Sequence, residues 1–317
     1  MSELIVASQH DARVNERLLA RAPGLTIVEL PPGPVEALPA GASVLFSRPF
    51  AGPRGEWRAA PAPRGWPFDL RWVQLSSVGI DAYPRWLFDG PVVTNARGTA
   101  SGPIAEYVLA AILSAAKQMP DLWVHRAEDW QHRLLDAVEG RTLGLIGFGS
   151  IGRAVAVRAQ AFGMQVLAHR RSRGPVDLPG VELAGSAVEV FARADHVVLA
   201  APATEETHHL VNRHLLATAR PGLHLVNVAR GSLVDHDALV EALDAGRLAL
   251  ATLDVTDPEP LPAGHRLYTH PRVRLSPHSS PGTPAIFDRL ADRFLHNLAR
   301  FRAGEALVDI VDPARGY

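Results

Sequence analysis

Apolar residues in this chain gather in short continuous runs, and stretches with helical spacing separate the runs. ELIVAS (residues 3–8), SVLFS (43–47) and RWVQLSS (71–77) read as strands, and DARVNERLLARA (11–22) reads as a helix. From Arg141 onward the pattern sharpens. TLGLIG, MQVLAH, DHVVLAA, LHLVNVA and LALATLDV are apolar runs with helical stretches between them, and VRLSPH (273–278) extends the series. This alternation predicts buried parallel strands in an α/β fold. VVTNARGTASGPIAEYVLAAILSAA (92–116) predicts a strand, a Gly-rich joint and an alanine-dense helix, with Ser101 as N-cap and Pro103 in the first turn. AIFDRLADRFLHNLARFRAG (285–304) predicts a last helix stopped by glycine. Residues 48–69 are rich in Pro, Gly and Arg, which predicts a loop; its Trp57 and Trp66 either pack beneath it or cap a pocket.

Composition narrows the class. A chain of 317 residues is long for one core and suits two domains, with a crossing expected near residues 95–101. An apolar share of 47% and a net charge of -1 describe a soluble globular protein rather than a disordered or nucleic-acid-coating one. No apolar run reaches the roughly 18 residues of a bilayer span, and the first residues lack a secretory signal pattern, so a cytoplasmic location is expected. Cysteine is absent, which excludes disulfides, thiolate nucleophiles and cysteine zinc sites. No H-E-x-x-H motif occurs either, so no metal site is expected. Lys117 is the sole lysine, so an anion site must use arginine, histidine or backbone N–H groups.

One stretch carries cofactor chemistry. In GLIGFGSIGR (144–153), Gly147, Gly149 and Gly152 follow a strand and open a helix. That context lets the backbone approach a pyrophosphate, with the N–H groups of Ser150 and Ile151 facing it. Such turns usually have an acidic residue about 20 positions on, which binds the ribose 2′-OH and repels a 2′-phosphate. VLAHRRS (166–172) instead places His169, Arg170, Arg171 and Ser172 there. Two guanidinium forks and a hydroxyl favour a phosphate, which predicts NADP(H) over NAD(H). The alternative is a solvated basic loop with NAD bound less selectively.

Three unlike polar residues follow three apolar runs: Arg230 in NVARGS, Glu259 in LDVTDPEP and His278 in LSPHSS. Strand ends in a parallel sheet form one rim, so these residues are expected to converge on a ligand there.

With these pieces in order, the chain resembles the D-isomer-specific 2-hydroxyacid dehydrogenase family. The likeness runs from SSVGID (76–81) through the joint at Asn95–Gly98 and IAE (104–106), TLGLIGFGSIG, APATEETHHLVN (201–212), NVARGSLVDHDALVEAL and LDVTDPEPLP to SPHSS. The resemblance implies two Rossmann/flavodoxin-like α/β domains with parallel sheets. A cofactor domain, residues 99–284, is inserted into a substrate domain of residues 1–98 and 285–317. It implies that Arg230 holds the substrate carboxylate and polarises the keto oxygen. His278 is then the acid in reduction and the base in oxidation, and Glu259 is its partner. Ser77, Val78 and Gly79 would bind the other side of the carboxylate. Ala200, Pro202, Thr207, Val228, Ala229, Asp254 and Ser280 would lie along the cofactor. The helix from Gly102 and DLWVHRAEDW (121–130) resemble the family's dimer contact, so a homodimer is expected, with hinges near Ser101 and Pro284.

Departures qualify this. Arg170 stands where an Asp is usual, Ser280 where Ala or Gly is common, and NARG lacks a proline, so Arg97 is a candidate for the cleft. Arg48 is either a further substrate contact or a surface residue. Glu259 argues against formate dehydrogenases, and the short C-terminus against a regulatory domain. The expected activity is reduction of a small 2-keto acid, in the manner of a glyoxylate/hydroxypyruvate reductase. Two alternatives stay open: a dinucleotide-sensing regulatory protein of the same fold, or a reductase of bulkier aryl 2-keto acids.

Overall fold

The computed structural model describes residues 4–49, 54–171 and 174–316, with only the backbone of 54–56. The chain divides into two compact units, Met1–Thr99 with Thr283–Tyr317, and Ala100–Gly282. The second is inserted into the first.

The first unit is built on β1 (Leu4–Ser8), β2 (Leu25–Glu29), β3 (Ala42–Ser47), β4 (Trp72–Leu75) and β5 (Val92–Thr94), all parallel in the order β2-β1-β3-β4-β5. Its helices are α1 (Ala12–Arg21), the short α2 (Arg54–Ala59) and the last helix of the chain, α8 (Ile286–Ala303). Period-2 geometry splits β3 between two cores. Val44 and Phe46 pack with Val6, Leu18, Trp72 and Phe294, while Leu45 packs with Ala7, Val73 and Leu87. The Phe294 ring stacks on Phe46 at 4.7 Å and on Trp72 at 4.9 Å, which docks α8 on the sheet. Asp11 caps α1 by accepting from the Arg13 amide, and Gly304 ends α8 in the left-handed conformation.

Trp57 is buried against Tyr83 with ring centroids 5.0 Å apart, and Trp66 meets Trp86 at 4.7 Å. Both rings pack into the core of this unit, as rings beneath a loop. The segment expected to be all loop contains α2. Strand β2 was not anticipated; it lies at the sheet edge, is only partly buried and shows little periodicity.

The second unit contains α3 (Ser101–Ala116), β6 (Thr142–Ile146), α4 (Ser150–Ala161), β7 (Gln165–His169), β8 (Val181–Leu183), α5 (Ala187–Arg193), β9 (His196–Leu199), α6 (Arg213–Ala217), β10 (Leu223–Asn227), α7 (His236–Asp244), β11 (Leu248–Leu253) and β12 (Val273–Leu275). The strands form one parallel sheet, ordered β12-β11-β10-β9-β6-β7-β8. Alternate residues again feed two cores: Val197 and Leu199 face one side and Val198 the other. Gly144 lets α5 approach, because a Cβ there would collide with Val190 and Ala194. Ser101 is not the N-cap of α3. Ala100 holds that place without a side-chain bond, and Ser101 is the first helical residue.

Strand order reverses beside β6. The chain runs outward through β7 and β8, then returns to place β9 on the other flank of β6. A crevice at the carboxyl ends of β6 and β9 follows from that topology. Among the described residues no helix is long and apolar enough to cross a membrane.

Candidate active site

The glycine turn occupies this crevice. Gly147 has φ +97°, and a Cβ on it would lie 2.6 Å from backbone atoms of Ala200 and Ala201, beyond β9. A Cβ on Gly152 would lie 2.5 Å from the Gly147 carbonyl oxygen. These two glycines close the turn on itself. Gly149 differs, since nothing lies within 4 Å of its missing Cβ. The open side of the turn therefore leaves its backbone accessible to a ligand. Helix α4 begins at Ser150, and the first N–H groups of a helix have no partner within it. Ser150 and Ile151 thus present amides and the positive end of a helix dipole. The residues fit a dinucleotide pyrophosphate.

The positions after β7 are less simple than their composition suggests. The His169 Nδ1 lies 3.3 Å from the Ala184 carbonyl oxygen. Arg170 was expected to offer its fork to a phosphate. Its Nη2 instead donates to the carbonyls of Gly174 and Pro175, at 2.7 and 2.9 Å, and its Nε is buried without a partner. Arg171 is half-exposed and pairs with Glu206 at 3.3 Å. Ser172 lies outside the described residues. Pro202 accepts from the Thr207 hydroxyl at 2.7 Å, and that hydroxyl also accepts from the Thr204 amide at 2.8 Å. Thr207 therefore shapes its own turn.

Three adjacent strand ends, β10, β11 and β12, carry the polar triad. Asn227, fully buried at the end of β10, accepts from the Ala229 amide at 3.0 Å and donates to the Arg230 carbonyl at 2.8 Å. It folds the turn that presents Arg230, with Val228 and Ala229 buried behind it. Gly231 follows, and a Cβ there would collide with the Thr256–Asp257 peptide. The Arg230 turn is thereby pressed against the loop carrying Glu259. The Glu259 Oε1 accepts from the Thr256 amide at 3.2 Å. Its Oε2 lies 3.1 Å from the Nδ1 of His278.

His278 has φ +51°, which a side chain of this size rarely adopts. The cost is met by hydrogen bonding. Its amide donates to the Asp254 carbonyl at 2.8 Å. The Asp254 carboxylate, 1% exposed, accepts from the Ser276 hydroxyl at 2.6 Å, the Ser279 amide at 2.8 Å and the Ser280 amide at 2.9 Å. Asp254 and Ser280 were expected along the cofactor. Both also belong to the framework of the His278 loop. Asn227, Gly231, Ser276 and the anchoring use of Asp254 were not singled out from the sequence. Their neighbours in NVARGS and LSPHSS were, so proximity to Arg230 and His278 was the available signal.

In the first unit, the Ser77 hydroxyl donates to the Gly79 carbonyl at 2.8 Å, and the Asn95 amide group donates to the Val78 carbonyl at 3.3 Å. These bonds use carbonyls and leave the Val78 and Gly79 N–H groups for other acceptors. Arg97 has an exposed side chain and lies 3.9 Å from Asp309. Among the described residues no cluster of His, Asp or Glu suits a metal ion.

Comparison with known proteins identifies the family. The profile of the D-isomer specific 2-hydroxyacid dehydrogenase NAD binding domain matches residues 109–280. The chain is 34% identical over 235 residues to a glyoxylate reductase of Thermococcus gammatolerans, covering 70% of each chain. It is 32% identical over 260 residues to glyoxylate/hydroxypyruvate reductase A of Serratia proteamaculans, covering 78% of this chain and 82% of that one. Among solved structures, a D-isomer specific 2-hydroxyacid dehydrogenase of Xanthobacter autotrophicus in complex with NADPH and MES superposes with a TM-score of 0.83 at 30% identity, over 100% of both chains. The chain belongs to the D-isomer-specific 2-hydroxyacid dehydrogenase family, NAD(P)-dependent oxidoreductases of small 2-hydroxy and 2-keto acids.

Proposed function

We propose that this enzyme reduces a small 2-keto acid with NADPH in preference to NADH, as a glyoxylate/hydroxypyruvate reductase does. The observation that carries the reading is the His278–Glu259 pair at 3.1 Å, with the Arg230 turn pressed against the Glu259 loop through Gly231. A nicotinamide dinucleotide held through its pyrophosphate at the glycine turn would supply the hydride. Reduction of a keto group leaves an alkoxide, so a cation and a proton donor are needed beside that oxygen. Arg230 is the cation, and its fork also holds the carboxylate. His278 donates the proton from Nε2, because Nδ1 faces Glu259. Glu259 orients the ring. In the first unit, the amides of Val78 and Gly79, at the turn held by Ser77, offer donors suited to a carboxylate.

Arg171 supports the NADPH preference as a charged donor after β7. The relatives named reductases of glyoxylate and hydroxypyruvate support the substrate class. Trp57 and Trp66 are packed in their own unit's core and do not argue for an aryl substrate. Trp123, Trp130 and Leu134 are large apolar side chains 60%, 81% and 88% exposed, which supports a homodimer.

The test is steady-state oxidation of NADPH and NADH with glyoxylate, hydroxypyruvate, pyruvate and phenylpyruvate, with Arg230→Ala as the blank. Turnover favouring NADPH and the two smaller polar acids, lost in the blank, is expected. Tight NADPH binding without turnover of any keto acid would overturn the reading in favour of a sensing protein.

A further inference from the structure

Tyr107 lies on α3, far along the chain from the triad, yet its hydroxyl is 2.6 Å from the Ser276 hydroxyl. Ser276 donates to the Asp254 carboxylate at 2.6 Å. An ionised carboxylate only accepts, so the Ser276 proton points to Asp254 and the Tyr107 proton points to Ser276. The three groups form a one-way chain of short hydrogen bonds ending on a buried charge. That charge is the post around which residues 276–280 are wound, through the amides of Ser279 and Ser280. Tyr107 is half-buried, and burial raises its hydroxyl above the usual phenol value. It therefore stays a donor at any working pH.

We propose that Tyr107 is a positioning residue for His278. Its hydroxyl completes the Ser276–Asp254 anchor that holds the histidine in its left-handed backbone conformation, facing Glu259. The inference rests on His278 being the proton donor of the proposed reaction. Without the phenol, Ser276 loses a donor and is free to rotate away from Asp254. The loop then samples geometries in which the His278 Nε2 no longer meets the keto oxygen. A small misplacement at a reacting group costs far more in rate than in binding. Helix α3 also packs against α4, but among the described residues no hydrogen bond joins Tyr107 to the glycine turn, so cofactor affinity is expected to stay near native.

The experiment compares native enzyme, Tyr107→Phe, Ser276→Ala, Ser276→Thr and the double variant Tyr107→Phe/Ser276→Ala, with His278→Gln as the control. Readouts are kcat, KM for the keto acid, NADPH affinity by fluorescence titration, and the thermal midpoint. Loss of turnover in His278→Gln establishes the underlying reading, and retained turnover there overturns that reading itself. Given that loss, Tyr107→Phe is expected to lower kcat about 5- to 20-fold with both binding constants within roughly twofold. Ser276→Ala is expected to match it, the double variant to be no worse than Ser276→Ala, and Ser276→Thr, which restores a hydroxyl, to recover the rate. Native kcat in Tyr107→Phe overturns the proposal. So do single effects that multiply in the double variant, or a rate loss matched by equal loss of NADPH affinity.

Discussion

The Nδ1 of His278 lies 3.1 Å from the Oε2 of Glu259, and the two residues arrive there from different strand ends, those of β12 and β11. The pair is mostly shielded, with side chains 32% and 16% exposed. In such surroundings a hydrogen bond between the two side chains is electrostatically stronger than it would be in water. Glu259→Gln keeps the shape and removes the charge. It is expected to lower kcat about 10- to 100-fold with unchanged NADPH affinity. Single-turnover rates with saturating NADPH would show it, and a native rate would remove Glu259 from the proposed mechanism.

Arg230 is held by its backbone, through Asn227 and Gly231, rather than by a long reach from the surface. Its value lies in a planar fork, which lysine lacks. Arg230→Lys is expected to lower kcat/KM for the keto acid roughly 100-fold or more, with both parameters affected. A variant within threefold of native would mean that a point charge suffices there.

The glycines of the turn should fail in different ways. Gly147→Ala meets the Ala200–Ala201 backbone at φ +97°, so it is expected to lose about 2–4 kcal/mol of stability. The Cβ of Gly149→Ala has no protein atom within 4 Å. That variant should melt like the native protein yet lose NADPH binding, because the side chain occupies the ligand's side. Thermal melts and fluorescence titrations on both variants separate the two cases. Equal destabilisation of both would refute the distinction.

Cofactor preference turns on Arg171 and its partner Glu206. Arg171→Ala is expected to reduce the NADPH-over-NADH ratio about tenfold, the worth of one charged hydrogen bond. Glu206→Gln should raise it by removing a competitor for the guanidinium. Arg170→Asp with Arg171→Ala should abolish the preference. The comparison of kcat/KM for the two cofactors decides, and three unchanged ratios would leave the basic loop with no part in selection.

Acid should destabilise this protein through buried histidines. Burial first, and Arg48 next, hold His10 down to about 4. Burial likewise holds His196 down to about 4 and His224 to about 3. In the unfolded chain these rings protonate near pH 6.5. Below that the unfolded state binds more protons than the folded one. Their stabilising contribution is therefore complete above about pH 6.5 and is lost as the pH falls toward 4. At about 1.4 kcal/mol per pH unit, His10 alone accounts for roughly 3 kcal/mol over that range. His10→Asn should flatten the fall in melting temperature between pH 6.5 and 4, and an unchanged slope would show that His10 does not drive it.

Much of the architecture was legible from the chain alone. Runs such as LGLI and VVLA are apolar on consecutive residues because both faces of their strands are buried, and parallel α/β sheets follow from that. The glycine turn was legible because its three residues lie within one local segment. Arg230, Glu259 and His278 stood out because each follows a strand, where a parallel sheet gathers its ligand-facing residues. The edges were harder. β2 and β8 each have a partner on one side only, so neither carries a full buried run.

Tertiary structure decided what holds the site and which partners its charged groups meet. Tyr107 and Ser276 are 169 positions apart, and no periodicity joins a helix residue to a loop that far downstream. Asp254 reads in sequence like any acid after a strand. Only its burial, and the three loop donors converging on it, make it an anchor. Arg170 and Arg171 are equivalent in composition, yet local carbonyls claim the first and Glu206 the second. Residue type and local spacing determine the strands, the turn and the candidate chemistry, because short-range sterics and burial set them. The hydrogen bonds that aim that chemistry depend on folding to bring distant donors and acceptors within about 3 Å.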